Sequence, residues 1–244
     1  MKTIGILLLF TGFLFLNSCS KEDTGVKPQK DLADQVGYWH NEAVAAVMNN
    51  PEFNRAVESG SLTGPFIREL IMMELSKRES NVFDYETTRL DLSWSDQTLV
   101  DKGIMTGAFS TNVRRSGAPA IDTEAVFKYL FQKKEIGSEL YATFIQLNKK
   151  VISNNVSRAE IIKLSRQMKD LPLSDEEKSY VDVFNQVLYA SNNYWENTHA
   201  RMQDKKTLGV IWADAAGGLY GMLCGPVCSI IEAAVFSTIV AIQE

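Results

Sequence analysis

The sequence predicts an all-α protein, a single-domain helical bundle that ends in a glycine-rich C-terminal helical hairpin. Apolar residues recur at helical spacing along most of the chain, and helix-capping patterns precede several of these segments. No segment shows the sustained alternation of a β-strand, and no repeat recurs at a fixed period. A chain of 244 residues is long enough for one domain with a sizeable core.

The N-terminus is predicted to be a targeting segment. Lys2 is followed by an apolar stretch over Ile4–Leu16, which is too short for a relaxed membrane span. The stretch ends in Leu16-Asn17-Ser18-Cys19, which resembles a bacterial lipobox. The resemblance implies a lipoprotein signal peptide over residues 1–18 and a mature chain that begins at a lipidated Cys19. The alternative is an ordinary secretory signal with an incidental cysteine.

Residues 19–30 are predicted to form a lipidated, flexible tether. Acyl chains on Cys19 would anchor the protein, because each buried CH₂ group contributes about 0.8 kcal/mol. The next residues, Ser20-Lys21-Glu22-Asp23, resemble the surface-export signal of Bacteroidota lipoproteins. The resemblance implies an outer membrane lipoprotein exposed at the cell surface. The same residues are also compatible with a simple solvated tether.

The helical domain is expected to span residues 31–244. Its first helix follows from the apolar period of Asp31–Asn49. Asn50-Pro51 then combines an N-cap with a proline at the first helical position, and Gly64-Pro65 opens another helix. The segment 81–120 is rich in Ser, Thr, Asp and Gly, and we expect loops around one or two short helices there.

The next helices are predicted from their capping residues. Asp122 caps a helix that is expected to run to about Ile136, and Ser138 starts the following one. Ser157-Arg158-Ala159-Glu160 and Ser174-Asp175-Glu176-Glu177 both match the capping box, in which the serine and the glutamate satisfy exposed backbone N–H groups. Each therefore predicts a helix start.

The apolar segment 208–242 is predicted to be the hairpin. Only Asp214 and Glu232 are charged in it, and Pro226 interrupts it. Small residues recur at every fourth position, which places them along one helix face and allows another helix to approach closely. They are Ala213, Gly217, Gly221, Gly225, Ser229, Ala233, Ser237 and Ala241. The three glycines are the predicted helix-packing positions.

Two interpretations of this hairpin are compatible with the sequence. It forms the buried centre of the domain, or it inserts into a membrane, since glycine zippers occur in membrane-active and bacteriocin-like proteins. The uncharged stretch 215–231 is marginal in length for a span, and an acid at the bilayer centre costs about 2.5–3.5 kcal/mol. These costs favour the buried hairpin.

Cys224 and Cys228 lie at the predicted bend of the hairpin. A disulfide at this spacing is strained within a regular helix, but a bend at Gly225-Pro226 relieves the strain. The alternative is a pair of buried free thiols. No metal site is expected, because no second Cys or His pair lies nearby.

A polar site is conceivable where His40, Asn41 and Glu42 follow one another in a single helical turn. The hypothesis is a His40–Asp214 or a His199–Glu232 pairing, since an acid in an apolar setting needs a partner. The alternative is a buried histidine with a purely structural role. Together with the small-residue tail, this turn faintly resembles uncharacterised Bacteroidota lipoproteins, a resemblance that implies no activity.

The composition narrows the function classes. There are 25 Lys+Arg against 30 Asp+Glu, a net charge of -5, which argues against a nucleic-acid partner. The sequence lacks a P-loop, a nucleophile elbow, H-E-x-x-H and G-x-G-x-x-G, and no cofactor is expected. We therefore expect a surface-anchored helical lipoprotein that binds an unidentified protein or glycan or supports the envelope. The aromatic and amide cluster at 192–196 would suit a glycan.

Two alternatives to this function remain. The first is a membrane-active, bacteriocin-like effector that uses the C-terminal hairpin. The second is a hydrolase-type enzyme without a recognisable motif.

Overall fold

The structure, a computed structural model, describes residues 32–92, 98–99, 101–105, 121–198 and 204–243. The predicted signal peptide, the tether with Cys19, and His199 lie outside these residues.

The described residues form an all-α helical bundle, as the sequence predicts. The helices of the N-terminal half are α1 (Val36–Met48), α2 (Pro51–Ser59), α3 (Gly64–Arg78) and α4 (Tyr85–Leu92). Those of the C-terminal half are α5 (Thr123–Lys133), α6 (Ser138–Ile152), α7 (Arg158–Gln167), α8 (Asp175–Thr198), α9 (Asp204–Gly221) and α10 (Pro226–Gln243). Short 3₁₀ turns follow α7 and α9, over Met168–Asp170 and Met222–Cys224. The described residues contain no strand beyond one isolated bridge between Met105 and Ile121.

The predicted caps occur at several helix starts. The side chains of Asn50, Asp122 and Ser157 each accept a backbone N–H from the first turn of their helix. At the start of α8 the capping box is reciprocal: Ser174 Oγ accepts the Glu177 N–H at 3.2 Å, and Glu177 Oε2 accepts the Ser174 N–H at 2.9 Å. Local side-chain chemistry therefore sets these boundaries.

Helix α5 ends earlier than the predicted Ile136. Its last helical residue is Lys133, and Lys134 takes a left-handed conformation with φ of 65°. The Lys134 N–H bonds back to the last turn, which closes the helix there. No glycine marks this left-handed cap, so the sequence predicts a helix that continues to about Ile136, just before Gly137.

Helices α9 and α10 run side by side at the centre of the bundle. Every residue from Val210 to Gly221 and from Cys228 to Ile239 is buried. The pair is enclosed by α1, α3, α5 and α8. Among the described helices, one segment is long and apolar enough to cross a membrane. It is Thr207–Cys224, which covers most of α9 and the 3₁₀ turn after it, with a mean hydropathy of 1.2 and 78% of it buried inside the protein.

The glycines of the hairpin permit backbone contact between its two helices. A Cβ atom on Gly217 would lie 2.6 Å from the carbonyl oxygen of Glu232, and one on Gly221 would meet the backbone of Cys228 and Ser229 even more closely. The serine hydroxyl of Ser229 also donates to the carbonyl oxygen of Gly218. The small residues of α9 thus pack against the small residues of α10.

Of the two roles predicted for Gly225, the structure shows the bend and not helix packing. It lies between the two helices rather than on a helix face, with φ of 103°. Side chains rarely adopt this conformation, so Gly225 makes the turn instead of contributing to helix packing.

Candidate functional site: a buried polar cluster on the central hairpin

His40 of α1 and Asp214 of α9 face each other inside the core. The distance between His40 Nε2 and Asp214 Oδ2 is 3.6 Å, and both side chains are 0% exposed. His40 follows the buried face of α1, which also carries Val36, Ala43 and Val47. Of the two pairings considered from the sequence, the structure thus brings His40 and Asp214 together.

Helix α8 supplies two further contacts to Asp214. The Ser191 hydroxyl donates to Asp214 Oδ2, and the Trp195 indole N–H donates to the same oxygen at 3.3 Å. Ser237 of α10 lies near enough to affect the carboxyl, but its hydroxyl does not reach hydrogen-bonding geometry. Asp214 Oδ1 has no hydrogen-bond partner among the described residues. Hydrogen bonds from the protein therefore replace only part of the water that the carboxyl loses on burial.

Burial raises the pKa of the Asp214 carboxyl to about 7, since little in the core replaces the water that would stabilise its charge. The hydrogen bonds from Ser191 and Trp195, and the nearby hydroxyl of Ser237, oppose this rise in the pKa without cancelling it. Asp214 is therefore largely a neutral carboxylic acid at mildly acidic pH.

Burial lowers the pKa of His40 to about 4, and the hydrogen bond to Asn41 opposes this shift in part. His40 Nδ1 lies 3.0 Å from Asn41 Oδ1, and Asn41 Nδ2 donates to the Ala190 carbonyl oxygen at 2.9 Å. This orientation of Asn41 assigns the proton of the neutral imidazole to Nδ1. The unprotonated Nε2 then faces the Asp214 carboxylic acid.

The order of groups differs from that of a catalytic triad. In a triad the histidine lies between the serine and the acid and takes the serine proton. Here Asp214 lies between Ser191 and His40. The imidazole is therefore not placed to activate Ser191, and the cluster gives no support to the hydrolase alternative.

Glu42 is not part of the buried cluster. Its carboxylate pairs with the guanidinium of Arg78 on α3, with side-chain exposures of 35% and 42%. Of the polar residues singled out from the sequence, His40, Asn41 and Asp214 thus come together, while Glu42 serves a surface ion pair.

The second acid of the hairpin has a partner that the sequence reasoning missed. Arg68 Nη2 of α3 donates to both carboxylate oxygens of Glu232 on α10, at 3.0 and 3.1 Å. The side chains are 5% and 0% exposed. The signal was present in the sequence, since Arg68 shares a helix face with the buried residues Ile71 and Leu75. The predicted partner His199 lies outside the described residues.

A third polar contact joins α9 to α5 and α6. Asn148 Oδ1 accepts the Trp212 indole N–H at 2.8 Å and the Thr123 hydroxyl at 2.6 Å. Asn148 is fully buried. Its amide nitrogen has no hydrogen-bond partner among the described residues. The hairpin is thus fixed by polar contacts on several sides.

Cys224 and Cys228 are joined by a disulfide, with a Cα–Cα distance of 5.8 Å. The turn at Gly225 brings the two residues together at the end of the hairpin. The bond closes the tip and links the last 3₁₀ turn of one arm to the first turn of the other.

The aromatic and amide cluster at 192–196 does not present a stacking surface on Trp195. That indole is 1% exposed, and Tyr194 packs edge-on against it with ring centroids 5.1 Å apart. Trp195 belongs to the core, where its N–H reaches Asp214. A glycan ligand would have to use other side chains.

The part of the chain that the structure describes has no group of three or more His, Cys, Asp or Glu arranged to hold a metal ion. No protein-family model, curated protein or solved structure matches the chain.

Proposed function

We propose that this chain is a membrane-tethered helical lipoprotein that acts through its outer surface, as a binding or envelope-structural module, rather than by catalysis. The observation that carries the proposal is the position of His40 and Asp214. Both are fully buried and contact one another and residues of the surrounding helices. A catalytic group needs access to its substrate, whereas a buried polar cluster fixes the relative positions of helices.

The outer surface offers side chains for a partner. Tyr38, Phe131, Ile152 and Tyr189 are 58%, 39%, 66% and 45% exposed. They are distributed over α1, α5, α6 and α8. Three of the four are aromatic. Aromatic side chains are common anchors in protein contacts and also stack on sugars, so the proposed ligand is a protein or a glycan.

The tether is tested by fatty-acid labelling and by protease treatment of whole cells that express the full chain. We expect label on the wild type and none on Cys19→Ser. The wild type should be accessible to protease, and alanines at Lys21, Glu22 and Asp23 should reduce this access without removing the label. A labelled wild type that stays protected would contradict the surface location, and an unlabelled one would contradict the tether.

The non-catalytic role is tested by substitutions in the cluster. His40→Asn should change the free energy of unfolding. At temperatures where the variant is folded, it should leave the exposure of the protein at the cell surface, and any binding of a ligand by the cells, unchanged. Tyr189→Ala, on the exposed face of α8, is the matched surface variant. If folded His40→Asn loses surface exposure or binding, and Tyr189→Ala does not, the proposal is overturned.

A second candidate function, membrane activity of the hairpin, is favoured by one observation. The two hairpin helices are joined to each other by glycine packing, by the bond from Ser229 to Gly218 and by the disulfide. These contacts do not involve the surrounding helices, so they would survive if the hairpin left the bundle as a unit.

Dye release from lipid vesicles tests this second function. The full chain, delivered from detergent, should release dye, and Gly221→Ala should release much less because it separates the hairpin helices. Gly209→Ala is the control, since a Cβ at Gly209 meets nothing within 4 Å. Absence of release by the wild type at any pH would exclude the function.

A further inference from the structure

Two polar contacts attach the hairpin to the N-terminal helices, one from each hairpin helix. Asp214 on α9 meets His40 on α1, and Glu232 on α10 meets Arg68 on α3. Asp214 and Glu232 are the charged residues of the apolar segment 208–242. Each acid of the hairpin is thus matched by a basic side chain of a surrounding helix.

The two contacts respond differently to pH. A guanidinium keeps its charge throughout the range in which proteins fold, so Arg68 holds Glu232 without titrating. An imidazole changes its charge near neutral pH, and its position in the core makes the charged form unfavourable. Of the two basic side chains, only His40 therefore changes its charge in this range.

We propose that His40 and Asp214 form an acid-sensitive latch that controls transfer of the α9–α10 hairpin from the bundle into a lipid bilayer. The proposal rests on the second candidate function, membrane activity of the hairpin. Its basis in the geometry is a buried imidazole on one element whose Nε2 faces a buried carboxyl on the element that would leave.

The direction of the pH effect follows from the number of protons bound before and after transfer. In the bundle His40 is neutral and Asp214 largely protonated, because burial lowers the pKa of the imidazole to about 4 and raises that of the carboxyl to about 7. After transfer His40 is exposed to water and gains a proton below its ordinary pKa of 6.5. Asp214 keeps its proton, because hydrocarbon also disfavours the carboxylate. His40 thus takes up one proton on transfer. Glu232 leaves Arg68 for hydrocarbon, which disfavours its carboxylate as well, so acid promotes transfer.

The same latch does not open in water. A hairpin released into solvent would expose Asp214, whose carboxyl then loses its proton above its ordinary pKa of 3.8. The proton lost by Asp214 offsets the proton gained by His40. Acid therefore favours the bilayer state but leaves the bundle intact in solution, which separates this latch from simple acid unfolding.

The groups around the latch are few. Helix α8 contributes Ser191, Trp195 and Tyr194, and the pKa of Tyr194 is raised by burial first and then by Asp214 and Glu42. Helix α10 contributes Ser237 and, farther along, Glu232 bound to Arg68. On α1 itself, Asn41 contacts the ring and Glu42 pairs with Arg78 of α3. Within the described residues, His40 is thus the basic group that titrates in this cluster.

The test measures binding of the full chain to vesicles of phosphatidylethanolamine and phosphatidylglycerol between pH 6.5 and pH 4. Hydrogen exchange of residues 207–243 reports whether the hairpin has left the bundle. The fraction transferred should rise with acid more steeply in the wild type than in His40→Asn, by about tenfold per pH unit, which is the effect of the one proton that His40 takes up. His40→Asn should lower the slope by this amount, and His40→Gln should do the same if the asparagine variant fails to fold.

Two further variants separate the contribution of His40 from those of Arg68 and Asp214. Arg68→Gln removes the contact to Glu232, so it should raise transfer at every pH, and His40→Asn should still lower the slope when added to it. Asp214→Asn should keep the slope, because His40 is still present. A wild-type slope in folded His40→Asn would overturn the latch while leaving the membrane function standing. No transfer by the wild type at any pH would instead refute the membrane function, and the latch with it.

Discussion

Gly221 lies against the backbone of Cys228 and Ser229, with no room for even one methyl group between the two hairpin helices. Gly221→Ala should therefore lower the free energy of unfolding by about 1–3 kcal/mol, the usual cost of overpacking a core. Denaturant unfolding followed by circular dichroism measures it. Gly209→Ala should be neutral or stabilising by up to about 1 kcal/mol, because alanine favours the helix and its Cβ meets open space. Equal effects of the two variants would contradict the close helix contact.

The pair Arg68 and Glu232 should behave as a buried ion pair. Arg68→Met or Glu232→Gln alone should destabilise the fold by about 3–5 kcal/mol, because each leaves an uncompensated polar or charged group in the core. Arg68→Met combined with Glu232→Leu should recover most of this loss. A double-mutant cycle in denaturant measures the coupling, and additive single effects would show that the pair does not interact.

The stability of the wild type should be nearly level between about pH 4 and pH 6.5. In that range the unfolded chain carries one more proton on His40 and one fewer on Asp214 than the folded chain, because burial lowers the His40 pKa to about 4 and raises the Asp214 pKa to about 7. The two effects cancel. Unfolding curves at several pH values check this, and a steep slope in that range would show that only one of the two groups changes its protonation on unfolding.

Single substitutions should reveal two opposing dependences of stability on pH, one from each group. In His40→Asn only Asp214 remains, so stability should be greatest below pH 3.8 and fall as the pH rises through about 7. In Asp214→Asn only His40 remains, so stability should be full above pH 6.5 and fall as the pH drops towards about 4. Each slope should approach about 1.4 kcal/mol per pH unit. Slopes of the same sign in both variants would contradict the assignment.

Reduction of the disulfide should cost only about 2 kcal/mol, because the loop that it closes is short. Cys224 and Cys228 are 4 positions apart in the sequence. Thermal unfolding with and without reductant measures the difference, and Cys224→Ser with Cys228→Ser should match the reduced wild type. Complete unfolding on reduction would mean that the tip holds the whole hairpin together.

The fold class was predictable because apolar spacing and capping residues are local signals. The reciprocal cap of Ser174 and Glu177 is an example, since all its atoms lie within one turn of helix. The end of α5 was missed for the same local reason: Lys134 adopts a conformation usually left to glycine, and nothing in its residue type indicates this.

The candidate site was only partly predictable. His40 and Asp214 stood out as polar residues in apolar surroundings, but their contact depends on how α1 docks on α9. Ser191 and Trp195 joined the cluster because α8 passes beside both helices, which spacing along the chain does not reveal. Arg68 was detectable in principle as a charge on a buried face, yet its partner is 164 positions away.

The packing of the hairpin also limits how its length can change in evolution. Gly217 lies opposite Ala233, and Gly221 lies opposite Ser229, so small residues meet at matched heights on the two arms. Inserting or deleting one residue within an arm turns everything beyond it by about 100° around the helix axis. Tyr220 after an insertion, or Met222 after a deletion, would then take the place of Gly221 against the opposite backbone. Length variation among relatives of this chain should therefore be confined to the tip and to the ends of the arms.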